Sequence, residues 1–270
     1  MEQIRIDLTK PFWSYVFAFF QADGHLRQGT RRRGRLSVEI QLRDKPMLEA
    51  IQKGISCNSS IYMRTRDTNY KKDYTSCCLN IYDLAFRQSL IALGLPTGRK
   101  SISIGLPSSD YLERDYWRGW VDADGSLGVT GQGWPFVGFC TKSNQIARGF
   151  RDYAFKITGR TRTLKPNKRD QVYNLLYQKE EAQTLAREMY YEGALCLPRK
   201  MDSAIALQSW VRTGSPKRKP YYRWTPEEDT IALSFPAHVA AEKLDRSEKG
   251  VLIRVWRLTQ RWKNVDSQQT

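Results

Sequence analysis

The chain has 270 residues, 40% of them hydrophobic and 12% aromatic, which excludes wholesale disorder and leaves room for two or three domains. Lys and Arg number 44 against 28 Asp and Glu, a formal net charge of +16. That balance points to a polyanionic partner, nucleic acid being the commonest, with plain basic solubility as the alternative. The five cysteines (Cys57, Cys77, Cys78, Cys140, Cys196) include no C-x-x-C pair, so neither a zinc knuckle nor a disulfide framework is expected and a reducing compartment fits. The opening MEQIRIDLTK lacks the apolar run of a signal peptide, and no stretch approaches the roughly 18 apolar residues of a membrane span. The expectation is a soluble intracellular protein, not secreted, of a bacterial or phage cytoplasm or an organelle, with no membrane partner.

In chain order, WSYVFAFFQADGHL (Trp13 to Leu26) reads as an apolar helix. Thr9 and Pro11 precede it as a cap and a first-turn proline, and Gly24 stops it as a left-handed C-terminal position favours. In RRRGRLSVEIQL, Leu36, Val38, Ile40 and Leu42 alternate with Arg35, Ser37, Glu39 and Gln41, giving a strand with one apolar face and one polar, partly basic face. SIYMRTRDTNYKKDYTSCCLNIY reads as a second hairpin with Asp67 to Asp73 as its loop, and YDLAFRQSLIALG returns to a helix. The pattern then starts again. YWRGWVDADGSL (Tyr116 to Leu127) follows Ser109 and Asp110, with Glu113 completing a capping box, and stops at Gly125. GWPFVGFCT and RTRTLKPNKRDQVYNLLY supply strands, with Pro166 to Asp170 as a turn, and KEEAQTLAREMYYEG a helix.

Asp23 and Asp124 lie 101 residues apart, and Lys100 and Lys200 follow them at 77 and 76 residues, in LGLPTGRKS and LCLPRKMDS. Two copies of one unit of about a hundred residues explain this spacing. Each reads helix, hairpin, helix, hairpin, helix: an α+β unit with a four-stranded antiparallel sheet, over residues 1–107 and 108–211. Residues 212–222 form a linker with Lys217, Arg218 and Lys219, suited to lying along phosphate. Residues 223–270 begin with Thr225 as a cap, Pro226 at the first helical position and acids in the first turn. Two further helices follow, broken near Leu244 to Arg246, with Ser247 able to cap the last. This tail reads as a helix-turn-helix module or a structural appendage.

Ala18 and Ala22 share one helix face, and Gly119 and Ala123 match them in the second copy. Small residues at this spacing let two backbones approach closely. If the helices pack there, Asp23 and Asp124 emerge side by side at two negative dipole ends. Such a pair needs a cation, and hard divalent ions prefer oxygen. Magnesium held by one carboxylate per side, backbone carbonyls, waters and phosphate oxygens would support phosphodiester hydrolysis. His25 and His238 are not assigned to metal.

VFAFFQADG and WRGWVDADG resemble the motif of the LAGLIDADG homing endonucleases, across about residues 10 to 211. The second copy is the fuller match; in the first, Ala18 stands where glycine is usual and Gln21 replaces the earlier aspartate. The resemblance implies a pseudo-two-fold monomer with two saddle-shaped sheets along double-stranded DNA. It implies Asp23 and Asp124 as metal-binding catalytic acids joined by the carbonyls of Ala22 and Ala123, and cleavage leaving short 3′ overhangs. Lys100 and Lys200 resemble the family's basic residues near the cleavage centre, either catalytic or ordinary phosphate contacts. Polar, alternate strand residues are the candidate base readers: Arg31, Arg33, Arg35, Ser37, Glu39, Gln41, Arg64, Arg66 and Thr68 in the first unit, and Thr130, Gln132, Arg160, Arg162, Lys165, Lys168 and Arg169 in the second. The tail resembles Myb or SANT-like modules, with Trp224 and Trp256 as core tryptophans and Arg246, Lys249 and Arg254 toward DNA. The function implied is a site-specific DNA endonuclease for intron homing; an RNA-binding maturase acting on intron RNA and a non-catalytic DNA-binding regulator share the scaffold.

Overall fold

The computed structural model describes residues 6–27, 29, 34–69, 72–212 and 223–266, with side chains to Thr259. These fall into two compact units divided after Arg212. The candidate residues Arg31, Arg33, Lys217, Arg218 and Lys219 lie outside the described residues.

The first unit is built on two central helices, α1 (Pro11–Ala22) and α4 (Glu113–Asp124). Every residue from Ser14 to Gln21 of α1, and from Asp115 to Asp122 of α4, is buried, the mark of helices enclosed on all sides. Strands β1 (Gly24–Arg27), β2 (Arg35–Gln41), β3 (Ser59–Arg66) and β4 (Tyr74–Ile81) form an antiparallel sheet in the order β1-β2-β4-β3. Helices α2 (Lys45–Ile55) and α3 (Leu84–Ala92) complete the first half. The second half repeats the order with β5 (Gly125–Val129), β6 (Pro135–Thr141), α5 (Asn144–Thr158), β7 (Tyr173–Gln178) and α6 (Glu180–Met189), then adds α7 (Pro198–Gln208). The expected α+β repeat is therefore present, and no helix among the described residues is long and apolar enough to cross a membrane.

The close approach of α1 and α4 fixes this architecture. A Cβ built on Gly119 would lie 2.5 Å from the Tyr15 carbonyl oxygen and 2.8 Å from the Ala18 Cβ, so the helices touch backbone to backbone there. Around this contact pack Trp117 and Trp120 of α4, with Phe139 of β6 and Phe150 and Tyr153 of α5. Arg118 is 1% exposed yet fully engaged. It donates to the carbonyls of Leu195 (3.0 Å) and Met189 (2.9 Å) and pairs with Asp115 at 2.6 Å, tying the segment before α7 to α4.

Several local expectations are corrected. The second sheet has three described strands, β5-β6-β7, because the segment 160–166 pairs with β7 only through a bridge between Pro166 and Tyr173; proline supplies no ladder donor. The Arg162 guanidinium instead takes the Leu176 carbonyl at 3.0 Å on that side of β7. Helices α1 and α4 have Lys10 and Leu112 at their N-caps, without side-chain caps; Thr9 turns back on Asp7. Leu42 opens a 3-10 turn rather than extending β2. Gly24 and Gly125 are not left-handed. Gly125 is extended (φ −93°, ψ 179°), and the need for glycine is steric: a Cβ on Gly24 would lie 2.5 Å from the Phe20 oxygen, and one on Gly125 2.8 Å from Val121 backbone.

The second unit comprises α8 (Pro226–Ser234), α9 (Ala237–Lys243) and α10 (Glu248–Asp266). Thr225 and Glu228 form a capping box at α8, and Ser247 accepts from the Gly250 amide at 3.1 Å at the start of α10. A small core of Ala232, Ala240, Ala241 and Val251 is covered by Trp224. Trp256 does not share it: it is 61% exposed, since Val251 and Val255 already present the inward face of α10.

The helix contact is testable. Gly119→Ala should destabilise the protein by about 1–3 kcal/mol through overpacking, read as a lower urea midpoint; an unchanged midpoint would show that the helices can separate without cost.

Candidate active site at the paired helix ends

Asp23 closes α1, with its amide bonded to the Phe19 carbonyl at 2.9 Å, and Asp124 is the last residue of α4. Strands β1 and β5 leave at once from Gly24 and Gly125, so each aspartate is pinned between a helix end and a strand start. The two carboxylates feel one another. Burial raises the Asp23 carboxyl to about 6, Asp124 adds to the rise, and Lys100 and Lys200 oppose it. Asp124, more open to solvent, shifts upward for the same first reason and is pulled down by both lysines. A scarcity of water explains both shifts, and the Asp124 charge adds to that of Asp23.

The lysines do something the sequence did not suggest: each caps a helix. The Lys100 ammonium donates to the carbonyls of Phe20 (3.0 Å), Gln21 (2.6 Å) and Ala22 (2.9 Å). The Lys200 ammonium donates to Val121, to Asp122 at 2.7 Å and to Gly125 at 3.0 Å. Each ammonium places three donors on carbonyls at or just beyond its helix end, some already accepting a backbone amide, and the positive charge sits on the negative dipole end. Burial lowers both lysines to about 8 against the pull of the aspartates.

Two clefts flank the pair. One, of about 330 Å³, is lined by Asp23 and Ala123, with Glu39, Asp44, Arg66 and Arg199. The other, of about 260 Å³, is lined by Asp124 and Ala22, with Lys100, Cys140 and Lys142. Each cleft thus combines the aspartate of one copy with the alanine that precedes the aspartate of the other. Among the described residues no group of three or more His, Cys, Asp or Glu could hold an ion. One helix-end aspartate per cleft with nearby carbonyl groups is an all-oxygen donor set that fits a hard divalent cation sharing its remaining positions with water and phosphate oxygens. The Ala22 carbonyl is already an acceptor for Lys100, so any ion there shares it.

On the first sheet, strand register sets Arg35, Ser37, Glu39 and Gln41 of β2 on one face with Tyr62, Arg64 and Arg66 of β3. Glu39 organises that face. It accepts from Ser76 at 2.6 Å and pairs with Arg66 at 3.0 Å and Arg64 at 3.6 Å; Ser37 donates to Asn80 at 2.7 Å. Thr68 lies in the loop beyond β3. The second sheet is different. Its outward face carries Ser126, Gly128, Phe136, Gly138, Cys140, Asn174, Leu176 and Gln178 by register, none of them basic and none singled out from sequence. Thr130 and Gln132 lie in the β5–β6 turn, closed by the Thr130 amide on the Trp134 carbonyl at 2.8 Å. Arg160 and Lys165 flank Arg162, which pairs with Glu181 and lies 4.8 Å over the Tyr177 ring. Lys168 and Arg169 sit in the turn before β7, Arg169 paired with Asp170 at 2.9 Å. In the second unit Arg246 pairs with Glu228 at 2.8 Å and Arg254 with Asp229 at 2.6 Å, both over Trp224; they serve the module's own packing, while Lys249 is exposed in the first turn of α10.

The raised and lowered pKa values make stability depend on pH. Between about pH 4 and 6 the folded chain keeps a proton on Asp23 that the unfolded chain has released, so this contribution weakens as pH rises through that window. For the lysines, lowered to about 8, the unfolded chain holds more protons up to about pH 10.5, so stability rises with pH there. Asp23→Asn should therefore raise the melting temperature at pH 7 by about 2–6 °C, a gain that vanishes at pH 4. A fall at pH 7 would contradict the crowding of the two carboxylates.

Residues 112–190 match the family of LAGLIDADG-like domains. No curated protein matches the chain. Among solved structures, the chain is similar to the meganuclease I-SmaMI bound to uncleavable DNA, at 11% identity over 74% of this chain and 92% of that one, TM-score 0.46. It is also similar to the homing endonuclease I-WcaI bound to its DNA recognition sequence (13%, 73% and 87%, 0.49) and to the N-terminal LAGLIDADG domain of DUF199/WhiA (11%, 79% and 89%, 0.42). The segment matched, from Leu112 to Tyr190, contains α4 and the Asp124 that ends it.

Proposed function

We propose that the protein is a site-specific endonuclease that cuts both strands of DNA by metal-assisted phosphodiester hydrolysis, leaving short 3′ overhangs. The observation that carries this reading is the convergence of two carboxylates from separate copies, one in each of two clefts, at the ends of helices that cannot move apart. A divalent cation, magnesium in the first instance, would supply Lewis-acid activation of water and phosphate when bound. Asp23 and Asp124 would hold it, with the carbonyls of Ala22 and Ala123 beside them. Lys100 and Lys200 neutralise the helix ends and keep positive charge within reach of the scissile phosphate.

The polar face of the first sheet supplies the base readers, with Glu39 pairing with both Arg64 and Arg66, side chains suited to guanine edges. Ser126, Asn174 and Gln178 take that part on the second sheet, with Thr130, Gln132, Arg160, Lys165, Lys168 and Arg169 at its margins contacting phosphate. The C-terminal helices form a second DNA contact through Lys249 and the exposed side of α10. The protein works as a monomer, since both halves of the site lie in one chain.

Incubation with a randomised duplex library and magnesium should release cut molecules that share one sequence. Asp23→Asn or Asp124→Asn should lower double-strand cleavage by more than about a hundredfold while leaving binding within a few-fold. Binding without cutting by the unaltered chain in any divalent ion would make it a regulator instead, and accelerated splicing of an intron RNA would make it a maturase. A chain ending at Arg212 should bind the selected site more weakly, over a shorter footprint and with a shallower salt dependence; equal affinity and footprint would remove the tail from DNA recognition.

A further inference from the structure

We propose that Tyr15 and Tyr116 are crossed positioning residues: each hydroxyl reaches across the α1–α4 contact and fixes the segment that carries the lysine of the opposite half. The inference rests on the proposed nuclease site for its purpose, and on hydrogen bonds alone for its geometry.

The two tyrosines occupy the same position in the two copies, 101 residues apart. Tyr15 donates to an Asp122 carboxylate oxygen at 2.7 Å. That same oxygen accepts the Leu197 amide at 2.8 Å, and Leu197 is the N-cap of α7, whose first turn carries Lys200. Tyr116 donates to the Gln21 side-chain oxygen at 2.5 Å. The Gln21 amide nitrogen donates in turn to the Gly105 carbonyl at 3.1 Å, beyond a turn in which the Ile104 amide bonds to the Lys100 carbonyl at 2.9 Å. Gln21 and Asp122 are also equivalent positions. Each therefore acts as a junction: one side takes a hydroxyl from the other copy, the other side holds the lysine segment of its own copy. Tyr15, Tyr116, Gln21 and Asp122 are all 1% exposed or less, so water cannot replace a lost bond.

The departure of Gln21 from the aspartate of the second copy has its reason here. The partner at position 122 is an amide N–H, which a carboxylate accepts; the partner at position 21 is a carbonyl, which needs a donor. The junctions also differ in redundancy. Asp122 has a second hydroxyl, from Tyr190 at 2.6 Å, whereas Gln21 takes its one hydroxyl from Tyr116. Loss of the Tyr116 hydroxyl should accordingly matter more.

Tyr15→Phe and Tyr116→Phe keep the rings and the packing. Amide hydrogen exchange of the full chain, without DNA or metal, reads the two segments separately. Tyr15→Phe should speed exchange across residues 197–201 and leave 100–105 unchanged; Tyr116→Phe should do the reverse, by roughly tenfold for one buried hydrogen bond. Asp122→Asn, a second route to the same junction, should loosen residues 197–201 alone. On the selected DNA site, Tyr116→Phe should accumulate the same nicked strand as Lys100→Ala, and Tyr15→Phe the strand left by Lys200→Ala. Equal loosening of both segments in each variant, or none in either, would overturn the crossed arrangement and leave the tyrosines as core residues. Because exchange needs no cleavage, a chain that never cuts would sink the nuclease reading without deciding this one.

Discussion

The backbones of α1 and α4 meet where Gly119 lies against Ala18 and the carbonyl of Tyr15, and the contact leaves no room for a side chain between them. Two helices that touch this closely must end together. Their last residues bring two carboxylates, and their exposed carbonyls bring two partial negative charges, into one small region. Unrelieved, that accumulation would push the helices apart. Lys100 and Lys200 relieve it by taking three carbonyls each, so the cost of the carboxylate pair is met locally rather than by loosening the interface.

The relief is incomplete, and the remainder is chemically useful. Asp23 still titrates near 6 and the lysines near 8, values that place all three groups close to neutral pH. A site in this condition gains from a divalent cation, which would remove the repulsion that the lysines only reduce.

The two halves are alike in plan and different in detail. The first sheet has four strands and a charged outward face ordered by Glu39; the second has three described strands and an outward face of small, apolar and amide side chains. The Asp23 cleft carries further acids with Arg66 and Arg199, while the Asp124 cleft carries Lys100 and Lys142. Lys100 stands in a turn and Lys200 in a helix. Equivalent roles are thus met by different local structures, as expected of copies that have diverged around a shared contact rather than a shared sequence.

Much of this was legible from residues alone. The 101-residue repeat, the matched Asp and Lys positions, the small residues at 18 and 119, the turn between β3 and β4 and the Thr225 cap all depend on spacing along the chain, which sequence records directly. The remainder depends on who sits opposite. That the lysines cap helices, that residues 160–165 fail to form a strand, and that Tyr15 and Tyr116 cross between halves all involve partners roughly 10 to more than 100 residues away, and that Gly24 and Gly125 are needed for space depends on how each strand folds back over its helix end. Local periodicity determined the elements and the repeat. The tertiary structure decided which donor meets which acceptor, because a hydrogen bond is fixed by a few tenths of an ångström that only the packed chain can set.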